Sequence, residues 1–329
     1  MKENQLLLVK RTTLFKDQHM KQRWTQNDIP DLTGKVIIVT GGNSGLGYEA
    51  VRLFTEHGAE VILASRSIEN GNYAKARIMQ HSPSGSINVM QLDLADLGSV
   101  QRFCTSFTSI YSKLNVLLNN AGIMTTPYHL TQDGFEGQLG TNHLGHFALT
   151  GLLWDLLSRT QDSRIVNVSS LAHRSGTMDF NNLQFDGDKG YTPMGAYGRS
   201  KLANLLFTYE LQRRIEKAGI SSLAVAAHPG VSNTELFRHY KHKLFYKLLK
   251  PLIGKVIQDP AQGALPEVRA AVGSEVAGSS YYGPSGRGEL KGFPVIVNSN
   301  EASHNLEDAK RLWKLSEELT GVSFLSGPF

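Results

Sequence analysis

Between about residue 33 and about residue 320, short apolar runs alternate with longer stretches whose apolar positions recur at helical spacing. Residues 35–40 form a β-branched run flanked by glycines, which predicts a buried parallel strand. Further strands are predicted at 59–64, 87–92, 114–119, 164–169 and 222–227, with a short last one at 279–282. Helices are predicted at 46–57, 67–80, 99–112, 134–158, 196–217 and 305–320, the first stopping at Gly58. Strands alternating with helices build a parallel sheet with right-handed crossovers, so the fold class is α/β, doubly wound, with helices on both faces. No linker, repeat or low-complexity tract interrupts the pattern, which predicts a single domain.

Composition narrows the picture. The chain has 329 residues, 40% hydrophobic and 19% charged, a globular balance well outside the disordered class. Cys104 is the single cysteine, which excludes an internal disulfide and a thiolate zinc site and fits a reducing, cytoplasmic setting. The net charge of +5 is spread along the chain, so it reads as solvated surface plus a phosphate-bearing ligand, not nucleic acid. No apolar run reaches the ~18–20 residues of a spanning helix. The patch Leu6–Val9 is too short for a signal-peptide core, and Met20 is a candidate start that would leave residues 1–19 as an extension. The expected boundaries are an N-terminal extension at 1–30, partly disordered, a domain at 31–320 and a tail at 321–329.

Candidate chemistry begins at the first strand–helix turn. Gly41, Gly45 and Gly47 are spaced G-x-x-x-G-x-G, with Asn43, Ser44 and Leu46 between them. Glycines allow a tight bend and close backbone approach, and the helix N-terminus faces a pyrophosphate, so this is a Rossmann-type dinucleotide loop. An NAD site places an acid at the end of the second strand, where this chain has Ser65-Arg66. Arg66 is positioned for a 2′-phosphate, which selects NADP(H). Asp93 closes the third strand within reach of an adenine, and Asn119, Asn120, Ala121 and Gly122 close the fourth with small and amide groups suited to a nucleotide.

Tyr197 precedes Lys201 by one helical turn. A lysine there would lower a phenol pKa from ~10, which fits a proton donor to a carbonyl. With these motifs assembled, the chain resembles the short-chain dehydrogenase/reductase family over roughly residues 31–320. The resemblance rests on the glycine loop, Asn119-Asn120-Ala121-Gly122, Asn142, Ser169-Ser170, Tyr197-x-x-x-Lys201 and Pro229-Gly230, in the family's order. It implies that Tyr197 is the general acid or base, and that Lys201 lowers its pKa and bonds the nicotinamide ribose. It also implies that Ser170, the second serine of its pair, bonds the substrate oxygen, that Asn142 holds a relay water with Lys201, and that Thr234 bonds the carboxamide. Within the family the chain is most similar to retinol dehydrogenase-like members, through Asn142-His-Leu-Gly-His-Phe147, Asn167-Val-Ser-Ser-Leu-Ala-His173 and Ser200-Lys-Leu-Ala-Asn204. The hydrophobic N-terminal anchor of many animal retinoid enzymes is not found in residues 1–27.

Residues 235–260 mix Leu, Phe and Tyr with lysines and read as a substrate lid; an alternative is an amphipathic helix in weak contact with a membrane surface. Residues 283–292 read as a flexible surface loop. His143, His146 and His173 are expected to be structural or substrate-shaping, with no metal. The expected function is NADP(H)-dependent interconversion of a small hydrophobic aldehyde or ketone and its alcohol. The alternatives are an NAD(H)-preferring alcohol or sterol dehydrogenase and a non-catalytic dinucleotide-binding redox sensor. Family habit adds a homo-oligomer.

Overall fold

The strands are β1 (Val36–Thr40), β2 (Glu60–Ser65), β3 (Ser86–Gln91), β4 (Val116–Asn119), β5 (Arg164–Val168), β6 (Leu223–Ala227), β7 (Tyr281–Pro284) and β8 (Pro294–Ile296). They form one sheet in the order β3-β2-β1-β4-β5-β6-β7-β8 in this computed structural model. The structure describes residues 23–81, 83–231 and 258–326. All neighbours pair in parallel, as in Ile37 opposite Val61, except β8, which runs against β7 with Val295 opposite Gly283. The helices are α1 (Gly45–Glu56), α2 (Ile68–Met79), α3 (Leu97–Ile110), α4 (Gly145–Leu152), α5 (Trp154–Arg159), α6 (Pro193–Lys217), α7 (Pro260–Val272) and α8 (Leu306–Thr320). This is the single-domain Rossmann-type α/β architecture the pattern predicts.

Strand β1 explains why an unbroken apolar run is needed. Every residue in it is buried. Ile37 and Val39 pack with Val51 and Phe54 of α1 and Val268 of α7, while Ile38 packs with Phe103 and Phe107 of α3 and Phe147 of α4. Both sheet faces are therefore covered, and neither tolerates the polar alternation of a half-exposed strand. Strand order reverses between β1 and β4, and the crevice beyond their carboxyl ends is where this topology binds ligands.

Some segments depart from the sequence reading. The single helix expected at 134–158 is instead one turn at Gly137–Leu139, a π-turn at Gly140–Leu144, then α4 and α5. Glycines at 137, 140, 145 and 151 weaken it as a helix, and at Gly145 the backbone is pressed against Leu94 so closely that a Cβ would collide. Helix α7 and strand β8 were not foreseen. Residues 283–292, expected to be a flexible loop, are tied down by Glu289, which takes Arg174 at 2.7 Å and His228 at 3.0 Å. At the chain ends, Trp24 and Ile29 are buried in the core, and Phe324 packs on Trp313 with ring centroids 4.8 Å apart. Residues 23–30 and 321–326 thus belong partly to the folded body. Thr234 and nearly all of the expected lid lie outside the described residues. Among the described residues, no helix is long and apolar enough to cross a membrane.

Candidate active site

The carboxyl ends of β1, β2, β4 and β5 open onto one cleft of about 670 Å³, within the range of small-molecule sites. Gly41, Asn43, Ser44, Gly45, Leu46, Gly47, Arg66, Asp93, Asn120, Ala121, Gly122, Tyr197 and Lys201 all line it. The glycine loop works as its spacing implies. Gly41 has φ +68°, and a Cβ on Gly47 would lie 2.5 Å from both the Gly41 carbonyl and the Asn120 amide nitrogen. Ser44 is the N-cap of α1, and its side chain makes no cap bond, so the first amides of the helix are left for a ligand. Asn120 closes the far wall: its amide donates to the Thr40 carbonyl at 2.7 Å. Asp93 accepts from the Ala95 amide at 3.0 Å, which fixes its carboxylate at the cleft rim. Arg66 is exposed at the end of β2 between Ser65 and Ser67, with no acid beside it in this segment.

The other end of the cleft holds the buried polar groups. Tyr197 and Lys201 lie one turn apart on α6, capped by Thr192 with Pro193 in the first turn. The Lys201 Nζ donates to the Val168 carbonyl at 2.9 Å and sits 5.7 Å from the Tyr197 ring centroid. Burial pushes Lys201 down to about 8, partly countered by Glu267. The sequence reading has Lys201 lowering the phenol. Instead burial dominates and pushes Tyr197 up to about 12, eased a little by the Ser170 hydroxyl. Ser170 caps the turn Leu171–Ser175, accepting from the Ala172 amide at 3.2 Å.

Asn142 lies in the π-turn, fully buried. Its amide oxygen accepts from the Ile123 amide at 2.8 Å, and its nitrogen donates to the Ile123 carbonyl at 3.0 Å and to Ser200 at 2.9 Å. Gly122 is the passage between these groups: a Cβ there would be 3.2 Å from the Asn142 oxygen and 3.4 Å from Nζ of Lys201. The three histidines turn to separate partners: His143 to Ser316 at 2.9 Å, His146 to Thr40 at 2.9 Å, and His173 to the Ser170 carbonyl at 2.6 Å.

The sequence profile described as short chain dehydrogenase matches residues 35–244. The chain belongs to the short-chain dehydrogenase family. This dehydrogenase is 39% identical to retinol dehydrogenase 11 of Homo sapiens over 293 residues, covering 88% of this chain and 87% of that protein. It is 41% identical to the WW domain-containing oxidoreductase of Gallus gallus over 298 residues, covering 88% and 69%. A solved structure of an uncharacterized protein from Mycobacterium Paratuberculosis superposes with a TM-score of 0.75 at 41% identity, covering 92% of this chain and 99% of that one. The dehydrogenase is thus a retinol dehydrogenase-like oxidoreductase acting on alcohol or carbonyl groups with a nicotinamide dinucleotide. The cleft fits that cofactor, because Cβ-free glycines, open helix amides and a strand-order reversal converge where a pyrophosphate would lie.

Sequence reasoning missed two carboxylates of this dehydrogenase, neither of which lines the cleft. Glu267 on α7 is fully buried, neither carboxyl oxygen has a hydrogen-bond partner among the described residues, and the positive charge of Lys201 favours its ionised form against burial. Its helix was hidden by Pro260 and Pro266, although Asp259 as N-cap before Pro260 is a start signal. Glu289 was read as part of a free loop; no local signal marks its partners, which are distant in sequence.

Proposed function

We propose that this dehydrogenase uses NADP(H) to interconvert a hydrophobic aldehyde or ketone and its alcohol, with Tyr197 as the proton donor in reduction. The observation that carries the reading is the placement of Tyr197 and Lys201 together in the wall of the cleft, with Nζ of Lys201 5.7 Å from the Tyr197 ring centroid. A bound nicotinamide would supply or accept the hydride. A phenol pushed up to about 12 is protonated at neutral pH, as a general acid for carbonyl reduction must be. As negative charge grows on the substrate oxygen, Ser170 donates a hydrogen bond to it and Tyr197 delivers its proton. Lys201 holds positive charge near the resulting phenolate and, with Asn142, lines the route by which a proton returns. Gly41, Asn43, Ser44, Gly45, Leu46 and Gly47 would seat the pyrophosphate. Asp93 would meet the adenine, Asn120, Ala121 and Gly122 would flank the nucleotide, and Arg66 would take the 2′-phosphate. The names of the relatives support a hydrophobic, retinol-like substrate class.

The test is NADPH oxidation against a panel of aliphatic and aromatic aldehydes, ketones and retinoids, run beside Tyr197→Phe. Turnover that collapses in Tyr197→Phe with NADPH binding retained is the expected result. Turnover that survives the substitution would overturn the assignment of Tyr197.

A further inference from the structure

One histidine couples the two walls of the cleft. The Thr40 hydroxyl oxygen accepts from the amides of Asn120 and Ala121, each at 2.9 Å. Both of its lone pairs are then occupied, and one hydrogen remains to donate. Two acceptors lie near it, Nε2 of His146 at 2.9 Å and the Leu118 carbonyl at 3.3 Å. The shorter contact takes the hydrogen, so Nε2 carries the lone pair and the ring proton sits on Nδ1. Nδ1 is 3.0 Å from the carbonyl of Asn142 and donates to it. Burial keeps this ring neutral, pushing it down to about 4. The network therefore fixes the tautomer by hydrogen-bond count alone.

We propose that His146 is a positioning residue, locking the Asn142 π-turn and the Asn120–Ala121 segment onto the end of β1 as one unit. Asn142 in turn grips the backbone of Ile123 through both atoms of its amide, so the clamp closes a ring around Gly122. A ring that rotates or swells would move Asn142 and the cofactor wall together. This inference rests on the roles proposed above for Asn142 and Asn120.

Isosteres separate the two halves of the clamp. The His146→Asn amide nitrogen replaces Nδ1 and keeps the bond to the Asn142 carbonyl. The His146→Gln terminal oxygen replaces Nε2 and keeps the bond from Thr40. His146→Leu keeps neither. The expected result is that His146→Leu loses roughly 10–100-fold in kcat, the cost of a misplaced relay group, and weakens NADPH binding. His146→Asn recovers most of the kcat, and His146→Gln recovers NADPH affinity without the kcat. Nitrogen-15 spectra of the cofactor-free wild type should show the ring protonated on Nδ1 only, unchanged from about pH 5.5 to about pH 8.

A ring that titrates within that span, or carries its proton on Nε2, overturns the clamp. So does equal loss in all three variants that merely follows their thermal stability. A wild type with no turnover on any carbonyl would count against the proposed function alone, because the ring spectrum and the NADPH Kd report the clamp without turnover.

Discussion

The Ser169 hydroxyl donates to the carbonyl of Lys201 at 2.9 Å, while the neighbouring Ser170 hydroxyl accepts from the Ala172 amide at 3.2 Å. Adjacent residues at a strand end point to opposite sides, so Ser169 secures α6 and leaves the substrate oxygen to Ser170, in the role proposed above. Ser170→Ala should lower kcat/KM by roughly 10²-fold with little change in Tm. Ser169→Ala should cost about 1 kcal/mol of stability and leave kcat within about threefold. Steady-state kinetics and thermal melts on both variants decide it; equal kinetic losses would contradict the division.

Arg66 governs coenzyme choice if it meets the 2′-phosphate. Arg66→Ala should raise the NADPH Kd by roughly tenfold or more, the value of a charge-assisted hydrogen bond, and leave the NADH Kd unchanged. Fluorescence titration with both coenzymes measures this, and parallel weakening would remove Arg66 from that role.

Glu267 makes stability depend on pH. Burial raises its folded-state pKa from 4.5 to about 8, so the native state holds a proton that the unfolded chain has released between those values. The Glu267 contribution to stability therefore falls as pH rises from 4.5 to about 8. Lys201 acts in a separate window: its folded-state pKa is depressed from 10.5 to about 8, and its penalty fades as pH rises between them. Glu267→Gln removes the first effect. Its Tm should be close to wild type near pH 5 and several degrees higher at about pH 8. Melts across that range test the sign, and an advantage that shrinks with pH would refute it.

Gly47 has no room for a methyl group. A Cβ would lie 2.5 Å from the Gly41 carbonyl, which is backbone, and 2.5 Å from an Asn120 amide nitrogen already bonded to Thr40. Gly47→Ala should therefore cost about 1–3 kcal/mol and abolish NADPH binding. Denaturant titration and a binding isotherm suffice as the check.

Much of this was legible in the chain because it is local. The apolar run of β1, the glycine spacing after it and the one-turn separation of Tyr197 from Lys201 are each set by a few consecutive residues. What stayed hidden is long-range. The bond from Thr40 to His146 spans 106 residues, and that from Arg174 to Glu289 spans 115. No periodicity announces such partners. The rise in the Tyr197 pKa is hidden for the same reason: it comes from burial by the whole fold, which outweighs the adjacent lysine that the spacing suggests.

The outer strands of the sheet bear on how the chain avoids its own copies. A second molecule adding a strand beside β8 would find three residues beginning at Pro294, which has no amide hydrogen to give. Beside β3 it would meet the exposed polar side chains of Ser86, Asn88 and Gln91, with the Asn88 side-chain amide held by Glu60 and Tyr111. Among the described residues the sheet of eight strands thus ends in a three-residue strand led by proline on one side and in a strand of polar outward residues on the other, and its long hydrophobic ladder lies between them, away from either edge.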